Sequence, residues 1–131
     1  MLCTDYVAVN EMLIRRLMSP DPTTISPQDT MGDARLLMER GNFRRLPVIE
    51  RERLIGIITD RDILRRVGNP DSIKVGTVMT RDPIVVTPDM TLKEAVELML
   101  SHRISGLPVL ENGKIIGVIT TTDILKSLLV S

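Results

Sequence analysis

In residues 92–99 the apolar side chains Leu92, Ala95, Val96 and Met99 recur at the spacing of one helix face. Thr91 stands just ahead of them, and Glu94 follows three residues later. That pair forms a capping box: the Thr hydroxyl accepts from a first-turn N–H and the Glu carboxylate reaches back to the Thr backbone. Upstream, Ile84, Val85 and Val86 make a short β-branched run closed by Pro88, which reads as a strand. Downstream, residues 107–110 read as a strand and Glu111-Asn112-Gly113 as a hairpin turn. Residues 115–120 read as a second apolar strand, interrupted by Gly117, and residues 122–129 as a closing helix. The predicted order is strand, helix, strand, strand, helix.

The same order occurs twice. Residues 17–67 lie on residues 78–128 without a gap, an offset of 61 positions. Met18 falls on Met79, Asp21-Pro22 on Asp82-Pro83, Pro27 on Pro88 and Ala34 on Ala95. Leu46-Pro47-Val48 falls on Leu107-Pro108-Val109, Gly56 on Gly117, Thr59 on Thr120, and Asp62-Ile63-Leu64 on Asp123-Ile124-Leu125. In the first copy Gly32 and Asp33 weaken the capping box, Gly41 is the expected helix stop, and Arg51-Glu52 replaces the Asn-Gly turn. Residues 7–17, apolar at 9, 12, 13 and 17, suggest an amphipathic helix ahead of the repeats. The expected division is an N-terminal helical segment 1–16, repeats 17–67 and 78–131, and a linker 68–77 rich in turn residues. One such repeat buries too little surface to be comfortably stable. Two β-α-β-β-α repeats packed through their sheets about a pseudo-twofold axis form an α/β (α+β) fold. Such a pair creates two equivalent clefts, the usual place for a small ligand.

Composition narrows the function. Hydrophobic residues make up 43% and charged residues 26%, an ordinary globular balance. With Tyr6 and Phe43 the only aromatic residues, the core must be aliphatic, and the eight methionines read as core filler at helical spacing. The 17 basic and 17 acidic residues cancel, which argues against nucleic acid or an anionic membrane as a partner. Cys3 is the single cysteine, so an internal disulfide and a multi-cysteine zinc site are excluded. Neither a signal peptide nor a membrane span is read, and a cytoplasmic setting is expected.

Chemistry concentrates where each second strand meets its helix: Gly56-Ile57-Ile58-Thr59-Asp60-Arg61-Asp62 and Gly117-Val118-Ile119-Thr120-Thr121-Thr122-Asp123. A helix start offers free backbone N–H groups and the positive end of a dipole, which suits phosphate. The Thr hydroxyl adds a hydrogen bond, and the Asp carboxylate can accept both hydrogens of a ribose diol. The glycine lets another backbone or a ligand approach closely. Thr-x-x-Asp is equally an ordinary helix cap with an acidic third residue.

Gly-apolar-x-Thr-x-x-Asp, preceded by Leu-Pro-Val and by an apolar run ending in Ser/Thr-Pro, resembles the cystathionine-β-synthase-type (CBS) domain family. Both repeats carry it: Thr24-Ile25-Ser26-Pro27 with Leu46-Pro47-Val48, and Val85-Val86-Thr87-Pro88 with Leu107-Pro108-Val109. The resemblance spans residues 11–130. It implies a Bateman module, a non-catalytic regulatory pair that binds AMP, ADP, ATP or S-adenosylmethionine and requires no cofactor. It also implies a flat homodimer and regulation of a client enzyme, channel or transporter. It further implies that each cleft is shared between repeats. One site would join Thr120 and Asp123 to Thr23, Phe43, Arg44 and Arg45. The second would join Thr59 and Asp62 to Ile84, Ile104 and Ser105, where Arg61 either assists phosphate binding or only balances Asp60 and Asp62. Arg44 and Arg45 stand where the second repeat has Ser105 and Gly106. Two guanidinium forks favour phosphates, unless they are solvated or pair with Glu39 and Glu50. Phe43 offers a stacking face for a purine, or is simply buried.

Three other readings compete: a scaffold with unused clefts, a small enzyme, and a nucleic-acid binder. His102, the only histidine, reads as a surface residue at a helix end, and Cys3 as a terminal thiol. With no Walker loop and no nucleophile elbow, the sequence gives an enzyme little support.

Overall fold

The computed structural model describes residues 9–65 and 72–129. Cys3, Tyr6 and residues 68–71 of the linker lie outside them. The chain divides into two compact units. One is Pro22–Pro83; the other combines the residues up to Asp21 with those from Ile84 onward.

In the Pro22–Pro83 unit, helix α2 (Met31–Gly41) precedes the hairpin of β2 (Arg45–Glu50) and β3 (Arg53–Thr59). A short helix α3 (Asp60–Leu64) follows, then α4 (Val75–Val78) and β4 (Thr80–Arg81). The antiparallel sheet runs β2-β3-β4. Its core comprises Ile25, Met31, Ala34, Met38, Leu46, Val48, Ile58, Val75 and Met79.

The other unit has the same plan. It begins with α1 (Ile14–Leu17) and β1 (Ser19–Pro20). Helix α5 (Leu92–His102), the hairpin of β5 (Gly106–Glu111) and β6 (Lys114–Thr120), and α6 (Thr121–Ser127) complete it. Its antiparallel sheet runs β1-β6-β5. Ile14, Val86, Ala95, Met99, Leu107, Val109 and Ile119 fill the core. Both cores are aliphatic, and Met31, Met38, Met79 and Met99 are buried in them, as filler.

The sequence period and the compact unit are therefore two different divisions of the chain. Each sheet is completed by a two-residue strand from the segment that opens the other repeat. Ser19 pairs with Val118 and Pro20 with Gly117, as Arg81 pairs with Gly56 and Thr80 with Ile57. The glycines make this possible. A Cβ on Gly56 would stand 2.8 Å from the Thr80 carbonyl oxygen and 2.7 Å from the Met79 sulfur.

Four local readings need revision. The strand expected at residues 84–86 shrinks to a single parallel bridge, Val86 to Val109, matched by Ile25 to Val48. Prolines at 83 and 88, like those at 22 and 27, remove donors on either side and stop a longer ladder. The helix expected over residues 7–17 is broken within its described part. Leu13 is extended and bridges Thr91, because Leu92 N–H donates to the Met12 carbonyl at 2.7 Å and Ile14 N–H to that of Met90 at 2.9 Å. The first repeat's capping box is complete rather than weakened. Thr30 N–H donates to Asp33 Oδ2 at 3.0 Å and Asp33 N–H to Thr30 Oγ1 at 3.1 Å. Finally, α2 stops at a left-handed Asn42, one residue past Gly41.

Candidate functional site

Each unit carries one corner where a strand feeds directly into a helix, and there the Thr-x-x-Asp motif sits. In the second-repeat unit, extended Thr120 ends β6 and caps α6. Its Oγ1 accepts from Asp123 N–H at 3.1 Å. Asp123 Oδ2 accepts from Thr120 N–H at 2.9 Å and from Thr120 Oγ1 at 3.0 Å. The corner is tied to the neighbouring strand: Thr121 N–H donates to the Ser105 carbonyl at 3.0 Å, and Gly106 lies opposite Thr120.

The first-repeat unit repeats this arrangement. Thr59 N–H donates to Asp62 Oδ2 at 2.8 Å, and Asp62 N–H to Thr59 Oγ1 at 3.3 Å. Asp60 N–H donates to the Arg44 carbonyl at 2.9 Å, and Arg45 lies opposite Thr59. The capping role of Thr-x-x-Asp is thus realised at both corners. Both Thr and both Asp residues are half-buried, so the corners remain open to solvent.

The strand-end residues differ in kind. Arg44 is exposed and, among the described residues, forms no ion pair with Glu39 or Glu50. Arg45 is half-buried. Burial holds its guanidinium below the ordinary arginine value; Asp60 offsets this and Arg44 adds to it. Phe43 is 42% exposed, and its ring lies on Gly41, where a Cβ would clash with ring carbon Cε2. One face is packed and much of the ring is open. Thr23, Ile84 and Ile104 are half-buried, while Ser105 and Arg61 are exposed. The resemblance divides these neighbours between two sites. Within each unit, Arg44 and Arg45 adjoin the Thr59 corner, and Ser105 adjoins the Thr120 corner.

One residue at the second corner was not legible in the motif. Ser19 Oγ donates to Asp123 Oδ1 at 3.0 Å, from 104 residues away. The available signal is that the 61-residue offset sets a hydroxyl at both 19 and 80. His102 is exposed at the end of α5. Among the described residues no group of His, Cys, Asp and Glu is placed to hold a metal ion, and no helix is long and apolar enough to cross a membrane.

The model of the CBS domain matches this chain twice, over residues 14–69 and 75–130. The chain belongs to the CBS-domain family. An inosine-5′-monophosphate dehydrogenase of Korarchaeum cryptofilum is 40% identical over 105 residues, which cover 79% of this chain but 22% of that enzyme. The chain thus spans about a fifth of such a dehydrogenase. Among solved CBS structures, CBSX2 in complex with AMP superposes with a TM-score of 0.80 at 27% identity, covering 90% of this chain and 96% of that one. The CBS pair of protein MJ0100, in complex with 5-methylthioadenosine and S-adenosyl-L-methionine, gives a TM-score of 0.83 at 25% identity, with the same coverages.

Proposed function

We propose that this chain is a non-catalytic regulatory CBS module. It binds an adenine nucleotide or related adenosyl ligand and passes metabolite or energy state to a client enzyme or transporter. The observation that carries this reading is the pair of matching Thr-x-x-Asp corners, one per unit, each with a half-buried carboxylate at a helix start. Two similarly folded CBS proteins hold AMP, or 5-methylthioadenosine and S-adenosyl-L-methionine, which supports an adenosyl ligand here.

Ribose recognition falls to Asp62 and Asp123, with Thr59 and Thr120 beside them. The phosphate role falls to Arg44, Arg45 and Arg61, which supply positive charge, and Ser105 adds a hydroxyl. Thr23, Ile84, Ile104 and Phe43 contact the base. The client is met by a homodimer. Helices α3 and α6 bury none of their residues, and equivalent leucines Leu64 and Leu125 are 80% and 62% exposed.

A second reading, a scaffold with unused sites, draws on the fact that both carboxylates already serve as caps. A thermal-shift series with AMP, ADP, ATP and S-adenosylmethionine separates the two. A ligand that binds the native state raises the melting temperature with its concentration. A flat response to every ligand would leave the scaffold reading standing alone.

A further inference from the structure

The carboxylate of Asp123 is almost fully used. An ionised carboxylate has about four lone-pair positions. Two on Oδ2 are taken by Thr120 N–H and Thr120 Oγ1, and one on Oδ1 by Ser19 Oγ. Among the described residues this leaves one acceptor position, whereas a vicinal diol brings two hydroxyl donors. At the other corner Asp62 accepts only from Thr59 N–H among the described residues, and Thr80, the counterpart of Ser19, makes no side-chain hydrogen bond to it.

We propose that Ser19 is an internal competitor for the ribose diol and sets the affinity of the Asp123 corner. A ligand engages both hydroxyls only when Ser19 Oγ lets go of Oδ1. A ligand with one sugar hydroxyl uses the free position and leaves Ser19 in place. The competitor is held there by the fold, since Ser19 is in β1 and its backbone lies against Gly117 of β6. Among the described residues Asp62 has no such competitor, so the two corners respond differently to the same ligand. This inference rests on the adenosyl-binding reading above.

The test is calorimetric titration of the full chain carrying Asp62→Ala, which leaves the Asp123 corner as the reporter. AMP and 2′-deoxy-AMP are the probes, with circular dichroism to verify folding. Removing the competitor by Ser19→Ala should tighten AMP about threefold to tenfold, the scale of one net hydrogen bond, and change 2′-deoxy-AMP less than about twofold. Ser19→Thr, which keeps the hydroxyl, should bind AMP as the parent does. Unchanged or weaker AMP binding in Ser19→Ala, or an equal gain for both probes, would overturn the competitor role while leaving the adenosyl reading intact. If Asp123→Ala in the Asp62→Ala background binds AMP as well as its parent, Asp123 does not hold the ribose and the competitor role fails; if the unaltered chain binds none of AMP, ADP, ATP and S-adenosylmethionine, the adenosyl reading fails with it.

Discussion

Gly117 and Ser19 approach so closely that a Cβ on Gly117 would stand 2.8 Å from the Ser19 carbonyl oxygen and 2.9 Å from the Met18 sulfur. The methionine can rotate away; the carbonyl belongs to the β1 backbone and cannot. Gly117→Ala should therefore lower stability by about 1–3 kcal/mol, the usual cost of overpacking. Gly56→Ala should behave alike, since its obstacle is the Thr80 carbonyl oxygen, also at 2.8 Å. Urea unfolding midpoints test both, and an unshifted midpoint would mean that the edge strand moves freely.

Asp123 serves both the helix cap and, in the proposed function, the ribose. Asp123→Ala should cost about 0.3–1 kcal/mol of stability, since it removes the acidic N3 half of the Thr120 capping box near the helix start. It should also weaken AMP binding by about 1–3 kcal/mol, the scale of hydrogen bonds to a charged group. Thr91→Ala separates the roles, because the Thr91–Glu94 box caps α5 in the same manner. It should show a similar stability loss in thermal melts and unchanged affinity by calorimetry.

Arg44 and Arg45 carry the phosphate part of the proposal. Changing them to Ser and Gly, the residues at 105 and 106, should weaken ATP and ADP far more than adenosine. Partly desolvated Arg–phosphate contacts are less screened than exposed ones, so the contrast should persist at moderate salt. Equal losses for adenosine and ATP would remove the arginines from phosphate recognition.

Self-association is expected through the exposed leucines of α3 and α6. Sedimentation equilibrium should give a dimer mass for the unaltered chain. Leu64→Asp with Leu125→Asp should shift it toward monomer with little loss of stability, because neither side chain belongs to a core cluster. A concentration-independent monomer in the unaltered chain would rule the dimer out.

What was legible in the sequence was local. Thr91 and Glu94 are three residues apart, as are Thr120 and Asp123, so their caps follow from spacing alone. Asn112-Gly113 supplies the two positive φ angles of a tight hairpin, 55° and 80°. Arg51-Glu52 adopts the same turn at 51° and 67°, against the residue preference, because the strands it joins hold it there. Distant pairings were hidden. Ser19-Pro20 and Thr80-Arg81 are too short to show alternation, and Gly56 and Gly117 were their only trace. Periodicity favoured a continuous helix through Leu13, but hydrogen bonding to residues 88–92 favoured an extended residue there. Ser19 stayed invisible as a neighbour of Asp123 because a chemical motif reports on its own few residues.

The origin of β1 governs how the chain tolerates shortening. Removing the residues before Asp21 would strip the outer strand from β6, uncovering the backbone groups of Gly117 and Val118 that β1 now faces. An uncovered β edge is a template for pairing with other chains. Ser19 and Pro20 thus shield the outer edge of β6 from such pairing.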